Sequence, residues 1–124
     1  MREWLYVDNA IQGIWRTTIS PRRHQRYCLG GGTILSNMQV IENIYKLLQM
    51  EIPEVRLVMR LKHTDDRPTD DWRYALDSRL ARQALEWDDG STKFMANLRK
   101  TIGWYVRAII ADGGGASHGR EAEL

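Results

Sequence analysis

A single cysteine, Cys28, in a chain of 124 residues excludes an intramolecular disulfide and a cysteine-based zinc cluster. Apolar runs long enough to span a membrane are missing. Arg2 and Glu3 put charge where a signal peptide needs a basic start and an apolar middle. The expectation is a soluble, unexported protein of the reducing cytoplasm. Neither sign of charge dominates: 18 Lys and Arg stand against 16 Asp and Glu, for a net charge of +2. Charge alone therefore points to no nucleic-acid or membrane partner. The one local exception is Arg22, Arg23, His24 and Arg26 beside Tyr27, a short basic cluster of the kind usually found in a solvated loop.

Two chemical signatures are also absent. The chain has no Gly-x-x-Gly-x-x-Gly loop, and Gly30, Gly31 and Gly32 lack the spacing that cradles a dinucleotide. No tyrosine is followed four positions on by a lysine: Tyr6, Tyr27, Tyr45, Tyr74 and Tyr105 are followed there by Ala10, Gly31, Gln49, Ser78 and Ile109.

What remains is ordinary for one globular domain, with 43% hydrophobic and 27% charged residues, although five tryptophans are many. Residues 4–7 form a short aromatic, apolar run suited to a buried strand, and Asp8 or Asn9 can cap a helix over 10–15. Pro21 and the basic cluster interrupt the pattern. Residues 26–29 read as a second strand, with Cys28 inside it, stopped by a tight turn at the three glycines. Ser36 and Gln39 have capping-box spacing ahead of an apolar stripe at Val40, Ile41, Ile44, Leu47 and Leu48.

Pro53 breaks that helix, and residues 55–62 alternate as a half-buried strand does. A charged loop follows from His63 to Asp71. Asp77 or Ser78 can cap a short helix to Leu85, and Asp88-Asp89-Gly90-Ser91 resets the chain. A long helix then places Phe94, Leu98, Ile102, Tyr105 and Ile109 at helical spacing. Residues 112–124 have no periodicity and are expected to form a flexible tail. The order strand, helix, strand, helix, strand, helix, helix argues for an α/β layer.

Three segments carry a sharper signal: Arg2-Glu3-Trp4-Leu5-Tyr6-Val7; Tyr27-Cys28-Leu29-Gly30-Gly31 with Asn37; and Asp66-Arg67-Pro68-Thr69-Asp70-Asp71-Trp72-Arg73-Tyr74-Ala75-Leu76-Asp77. Taken alone, Arg2 is a surface arginine beside a strand, Asn37 a helix-start residue next to a cap, and the acidic stretch a solvated turn. In this order and spacing, however, the segments resemble the C-terminal part of the dTDP-glucose 4,6-dehydratases, NAD-dependent sugar-nucleotide enzymes of the extended short-chain dehydrogenase/reductase family. Arg99-Lys100-Thr101-Ile102-Gly103-Trp104-Tyr105 matches a further helical motif of that family. The resemblance covers roughly residues 2–107. It fits a related sugar-nucleotide epimerase or decarboxylase less well, because the Arg67 loop and Arg73 to Asp77 follow the dehydratase pattern.

The resemblance implies an α/β fold corresponding to the C-terminal substrate-binding portion, over residues 1–111, without the N-terminal Rossmann half. It implies a nucleotide-sugar ligand whose diphosphate meets Arg2, Asn37 and Arg67. Both arginines suit that role, since a guanidinium can bridge phosphate oxygens in a fork. Pro68 stiffens the loop, but Thr69 and Asp70 replace a glycine and a histidine of the pattern, and Asp70 adds negative charge beside the expected diphosphate. Asp8-Asn9-Ala10 likewise departs from the usual Glu-Asp-His. NAD belongs to the full-length family, and with no dinucleotide loop and no catalytic tyrosine and lysine, this chain is expected to bind no cofactor alone.

Met1 directly before the Arg2 motif fits a truncated or split-gene product that is inactive by itself, or a non-catalytic interaction module. The helices carrying Ile44, Leu48, Leu98 and Ile102 are expected to keep partly exposed apolar faces. These faces would favour self-association or a complementary N-terminal half.

Overall fold

Three consecutive glycines let two short strands close on one another at the front of the molecule. The fold is a computed structural model describing residues 1–22, 24–62, 64 and 71–111. Strands β1 (Arg2–Trp4) and β2 (Thr33–Leu35) form an antiparallel ribbon in which Arg2 pairs with Leu35 and Trp4 with Thr33. The chain also forms helices α1 (Val7–Ile19), α2 (Asn37–Glu51), α3 (Arg79–Leu85) and α4 (Phe94–Ala111), with a 3-10 turn (Ser91–Lys93) leading into α4. No helix among the described residues is long and apolar enough to cross a membrane.

Helix α2 begins as its sequence requires. The Ser36 side chain accepts from the Gln39 N–H at 3.1 Å, and the Gln39 side chain accepts from the Ser36 N–H at 2.8 Å, satisfying two donors at the helix start. Helix α1 starts earlier than its capping residues suggested. Tyr6 is its N-cap, with no side-chain cap bond. Asn9 instead donates to the Asp88 carbonyl at 2.9 Å and accepts from the Asn97 side chain at 3.3 Å, tying α1 to the entry of α4.

The sheet differs from the expected layer. Residues 26–29 are not a strand: Tyr27 and Leu29 pack on the cluster of Ala81, Leu85 and Trp87, and Cys28 is exposed. The strand comes after the glycines, at β2. The first strand is residues 2–4, so only Trp4 of the expected run 4–7 is strand; Trp4 is partly exposed and Val7 opens α1. Residues 55–62 pair with no strand among the described residues; an alternating pattern defines a face, but a strand also needs a neighbour's N–H and C=O groups. The architecture is therefore a small α/β domain with a two-stranded sheet.

Two small cores hold it. In one, α1 and α3 pack around Trp87, whose indole N–H donates to the Asn9 carbonyl at 2.8 Å. Gly13 allows this approach, since a Cβ there would lie 2.9 Å from Leu29 Cδ1. In the other, α2 packs on α4, burying Val40, Leu47 and Ile102. Ile102 is thus covered, while Ile44, Leu48 and Leu98 are half-buried. The expectation that this set would lie partly exposed fails for Ile102, because α2 and α4 cover each other.

Acid should loosen this fold. The Arg79 guanidinium and backbone N–H hold the Asp77 carboxyl at about 2. Lys93 and the Gly90 N–H hold Asp88 below the usual range. Burial pushes Asp89 up, but the Ser91 N–H and Arg82 outweigh it and the net direction is down. All three carboxylates bind protons more readily in the unfolded chain. Their stabilisation is therefore complete above the ordinary carboxylate value of about 3.9 and lost as pH falls through the lower folded values. Thermal melts at about pH 6 and about pH 3 should show a lower midpoint in acid; equal midpoints would contradict these assignments.

Candidate functional site

Glu3 organises the front of the molecule. Its Oε1 accepts from the Gly32 N–H and its Oε2 from the Leu76 N–H, each at 2.7 Å. One carboxylate thereby joins the glycine turn to the stretch following the charged loop. Residue 74 adds a main-chain link, with its N–H donating to the Met1 carbonyl at 3.1 Å and a parallel bridge to Arg2. Arg2 Nη1 donates to the Asp71 carbonyl at 2.5 Å, so the guanidinium is oriented toward the returning end of that loop. Ser78, buried, accepts from the Gly30 N–H at 2.6 Å.

These bonds unite the three segments singled out in the sequence. Arg2 pairs with Leu35, two residues before Asn37, so Arg2 and the exposed first residue of α2 share one end of the ribbon. The end of the charged loop at Asp71 reaches the same place through Arg2. Arg67 lies outside the described residues, as do Arg23 and the proposed tail, 112–124. Glu3 was not among the expected site residues. Its signal was a lone carboxylate entering an aromatic, apolar run, with three glycines later in the chain to approach it.

The glycine turn does not fit the pyrophosphate of NAD. The Glu3 carboxylate fills the space over Gly30, and the Trp4 carbonyl that over Gly31. An anion and a carbonyl oxygen stand where a dinucleotide loop offers amide donors. No group of three or more His, Cys, Asp or Glu that could hold a metal occurs among the described residues.

A cleft of about 850 Å³ lies elsewhere, between the start of α1 and the facing sides of α2 and α4. Trp4, Tyr6, Phe94 and Trp104 contribute to its mainly apolar lining. Lys100 Nζ sits 5.9 Å from the centre of the Tyr6 ring. Desolvation, together with the hydrogen-bonded Asp8 carboxylate, pushes the Tyr6 phenol up. Neither Arg2 nor Asn37 lines this cleft. The basic residues Arg22, His24 and Arg26 are exposed at the far end of α1.

Comparison with known proteins gives this geometry a context. The chain is 30% identical over 107 residues to dTDP-glucose 4,6-dehydratase 1 of Escherichia coli K12, covering 86% of this chain and 29% of that protein. It is a relative of the dTDP-glucose 4,6-dehydratases. A probable dTDP-glucose 4,6-dehydratase of Sinorhizobium fredii is 33% identical over 110 residues, covering 86% of this chain and 30% of the relative. The dehydratase of Neisseria gonorrhoeae is 31% identical over 111 residues, covering 86% and 32%. The chain thus spans about three tenths of the length of the dehydratases it matches. No family model matches it, and no solved structure matches it.

Proposed function

We propose that the chain carries the sugar-nucleotide-binding portion of a dTDP-glucose 4,6-dehydratase-like protein of the cytoplasm, with Arg2, Asn37 and Arg67 meeting the ligand's diphosphate. The observation that carries this reading is the convergence on the ribbon end. Arg2 is paired beside the start of α2 and bonded to the Asp71 carbonyl, four residues after Arg67 in the sequence. A guanidinium and a side-chain amide at one end of the ribbon suit a diphosphate, because charge-assisted forks to phosphate are strong and directional. Asp70, three residues after Arg67 in the sequence, adds a negative charge, so a modest affinity is expected.

On this reading the chain neither binds NAD nor turns over dTDP-glucose alone, since it has neither a cradle for the dinucleotide nor a tyrosine with its partnering lysine. Calorimetry with dTDP is the test. Arg67→Ala should weaken binding at least about tenfold, the equivalent of losing one charged hydrogen bond of about 1.5 to 3 kcal/mol. Equal affinities for the wild type and Arg67→Ala, or no binding by the wild type, would refute the site. Sustained formation of 4-keto product from NAD and dTDP-glucose by the chain alone would refute its inactivity.

A further inference from the structure

Arg2 and Glu3 are adjacent on β1 but face different ways. Successive residues of a strand point to opposite sides, so the half-buried Glu3 side chain leaves β1 from the face opposite Arg2. β1 itself lies between two segments: β2 pairs along one edge, with Ile34 opposite Glu3, and Tyr74 bridges Arg2 on the other. The carboxylate reaches past both pairings. It accepts one N–H from each flank, Gly32 just before β2 and Leu76 just beyond the bridge, each at 2.7 Å. Gly30 leaves room for it, since a Cβ there would lie 2.5 Å from Oε2. Ser78 holds the same turn from another side, its hydroxyl accepting from the Gly30 N–H at 2.6 Å. Hydrogen bonds to an ionised acceptor are shorter and stronger than the neutral bonds of the ribbon. These two therefore lock β1 to both of its neighbours.

We infer that Glu3 is a positioning residue of the proposed diphosphate site, and that it gives this site a preference for two linked phosphates over one. This rests on the reading of Arg2 and Asn37 as diphosphate contacts. Those two residues sit on different elements, one on β1 and one at the start of α2. Their separation is set by whatever locks the elements together. A diphosphate is recognised by donors held at a fixed spacing, which supporting hydrogen bonds must maintain, whereas a monophosphate needs only one of them. Glu3 acts from behind: it faces away from Arg2, and its negative charge is taken up by two N–H groups.

The test is calorimetry on the full chain with dTDP and with dTMP, for the wild type, Glu3→Gln and Glu3→Asp. Glutamine keeps the length but turns one accepting oxygen into an amide donor, which cannot serve one of the two N–H groups. Aspartate keeps the charge but is one methylene shorter, so it cannot hold both. The wild type should prefer dTDP by at least about tenfold, the effect of one further charge-assisted hydrogen bond. Either variant should weaken dTDP at least about tenfold and dTMP by less than about threefold. A variant that merely unfolded part of the population would lower the number of sites for both nucleotides alike and leave the preference unchanged. Amide exchange at Gly32 and Leu76 should quicken in both variants.

A wild type that binds neither nucleotide refutes the diphosphate site and the role of Glu3 with it. A wild type that binds dTDP without preference, or a folded variant that keeps the wild-type preference, overturns the role of Glu3 alone. Tighter dTDP binding by Glu3→Gln overturns it too, because the carboxylate would then act as a competing anion. So does the failure of both variants to fold, which would confine Glu3 to stability; where only one folds, that one decides.

Discussion

A single methyl group at position 31 is expected to abolish the cooperative melt: Gly31→Ala should leave the chain without the β1–β2 ribbon. A Cβ on Gly31 would fall on the carbonyl oxygen of Trp4, far inside van der Waals contact, with the Trp4 carbonyl carbon 2.6 Å and the Leu5 Cα 2.8 Å away. All three atoms are backbone, so no side chain can swing aside. Relief requires β1 to move off β2, which breaks the pairing of Trp4 with Thr33 and separates Glu3 from the Gly32 N–H. Ordinary overpacking costs about 1 to 3 kcal/mol because side chains adjust; here the cost should exceed that range and consume a large share of the roughly 5 to 15 kcal/mol that holds a domain folded.

Gly13→Ala is the control. Its Cβ would meet Leu29 and Trp87 side-chain atoms at 2.9 to 3.1 Å, and the Leu29 side chain can shift, so a smaller loss is expected. Circular dichroism melts of the two variants decide the matter. A Gly31→Ala chain as stable as Gly13→Ala would show that the ribbon does not run where it is described.

The same ribbon shows where the sequence could be read and where it could not. Helix α2 was legible because its start is local: Ser36 and Gln39 satisfy each other across three residues, and nothing distant is needed. Helix α4 was legible from its apolar period. The strands were not. Tyr27, Cys28 and Leu29 look like a strand, but Tyr27 and Leu29 pack on a cluster built from α3 and Trp87, some fifty residues away, and Ser78 holds the Gly30 backbone.

Thr33 to Leu35 become the strand because the glycines before them allow the approach to β1, a condition visible only once both segments are in place. Asn9 looked like a helix cap and proved to be a tertiary tie to Asp88 and Asn97. Of the candidate site, Arg2 and Asn37 were named from motifs, whereas Glu3, which bonds both neighbouring segments, was missed. A carboxylate accepting two main-chain N–H groups leaves no periodicity behind.

Trp87→Ala is expected to be the most damaging core substitution. Trp87 is 3% exposed, and the cluster around it, Ala81, Leu85, Leu5, Tyr27 and Leu29, joins α1, α3 and the segment before the glycines. No large side chain among the described residues is completely buried, so this small core has little else to lose. Removing a buried tryptophan costs about 3 to 5 kcal/mol in a well-packed site, comparable with the whole stability of a weakly cored domain.

Two effects contribute, and Trp87→Phe separates them. Phenylalanine keeps a ring in the cluster but loses the indole N–H that donates to the Asn9 carbonyl. Its cost should be about 1 kcal/mol for the hydrogen bond plus a packing term smaller than that of alanine. Urea unfolding followed by tryptophan fluorescence and circular dichroism should rank the wild type above Trp87→Phe and that above Trp87→Ala. Hydrogen exchange should quicken first in α1 and α3, the two helices the cluster joins, while α2 and α4 keep each other covered. Alanine and phenylalanine variants of equal stability would mean that the ring contributes no packing, and that the cluster is not the core of this half of the molecule.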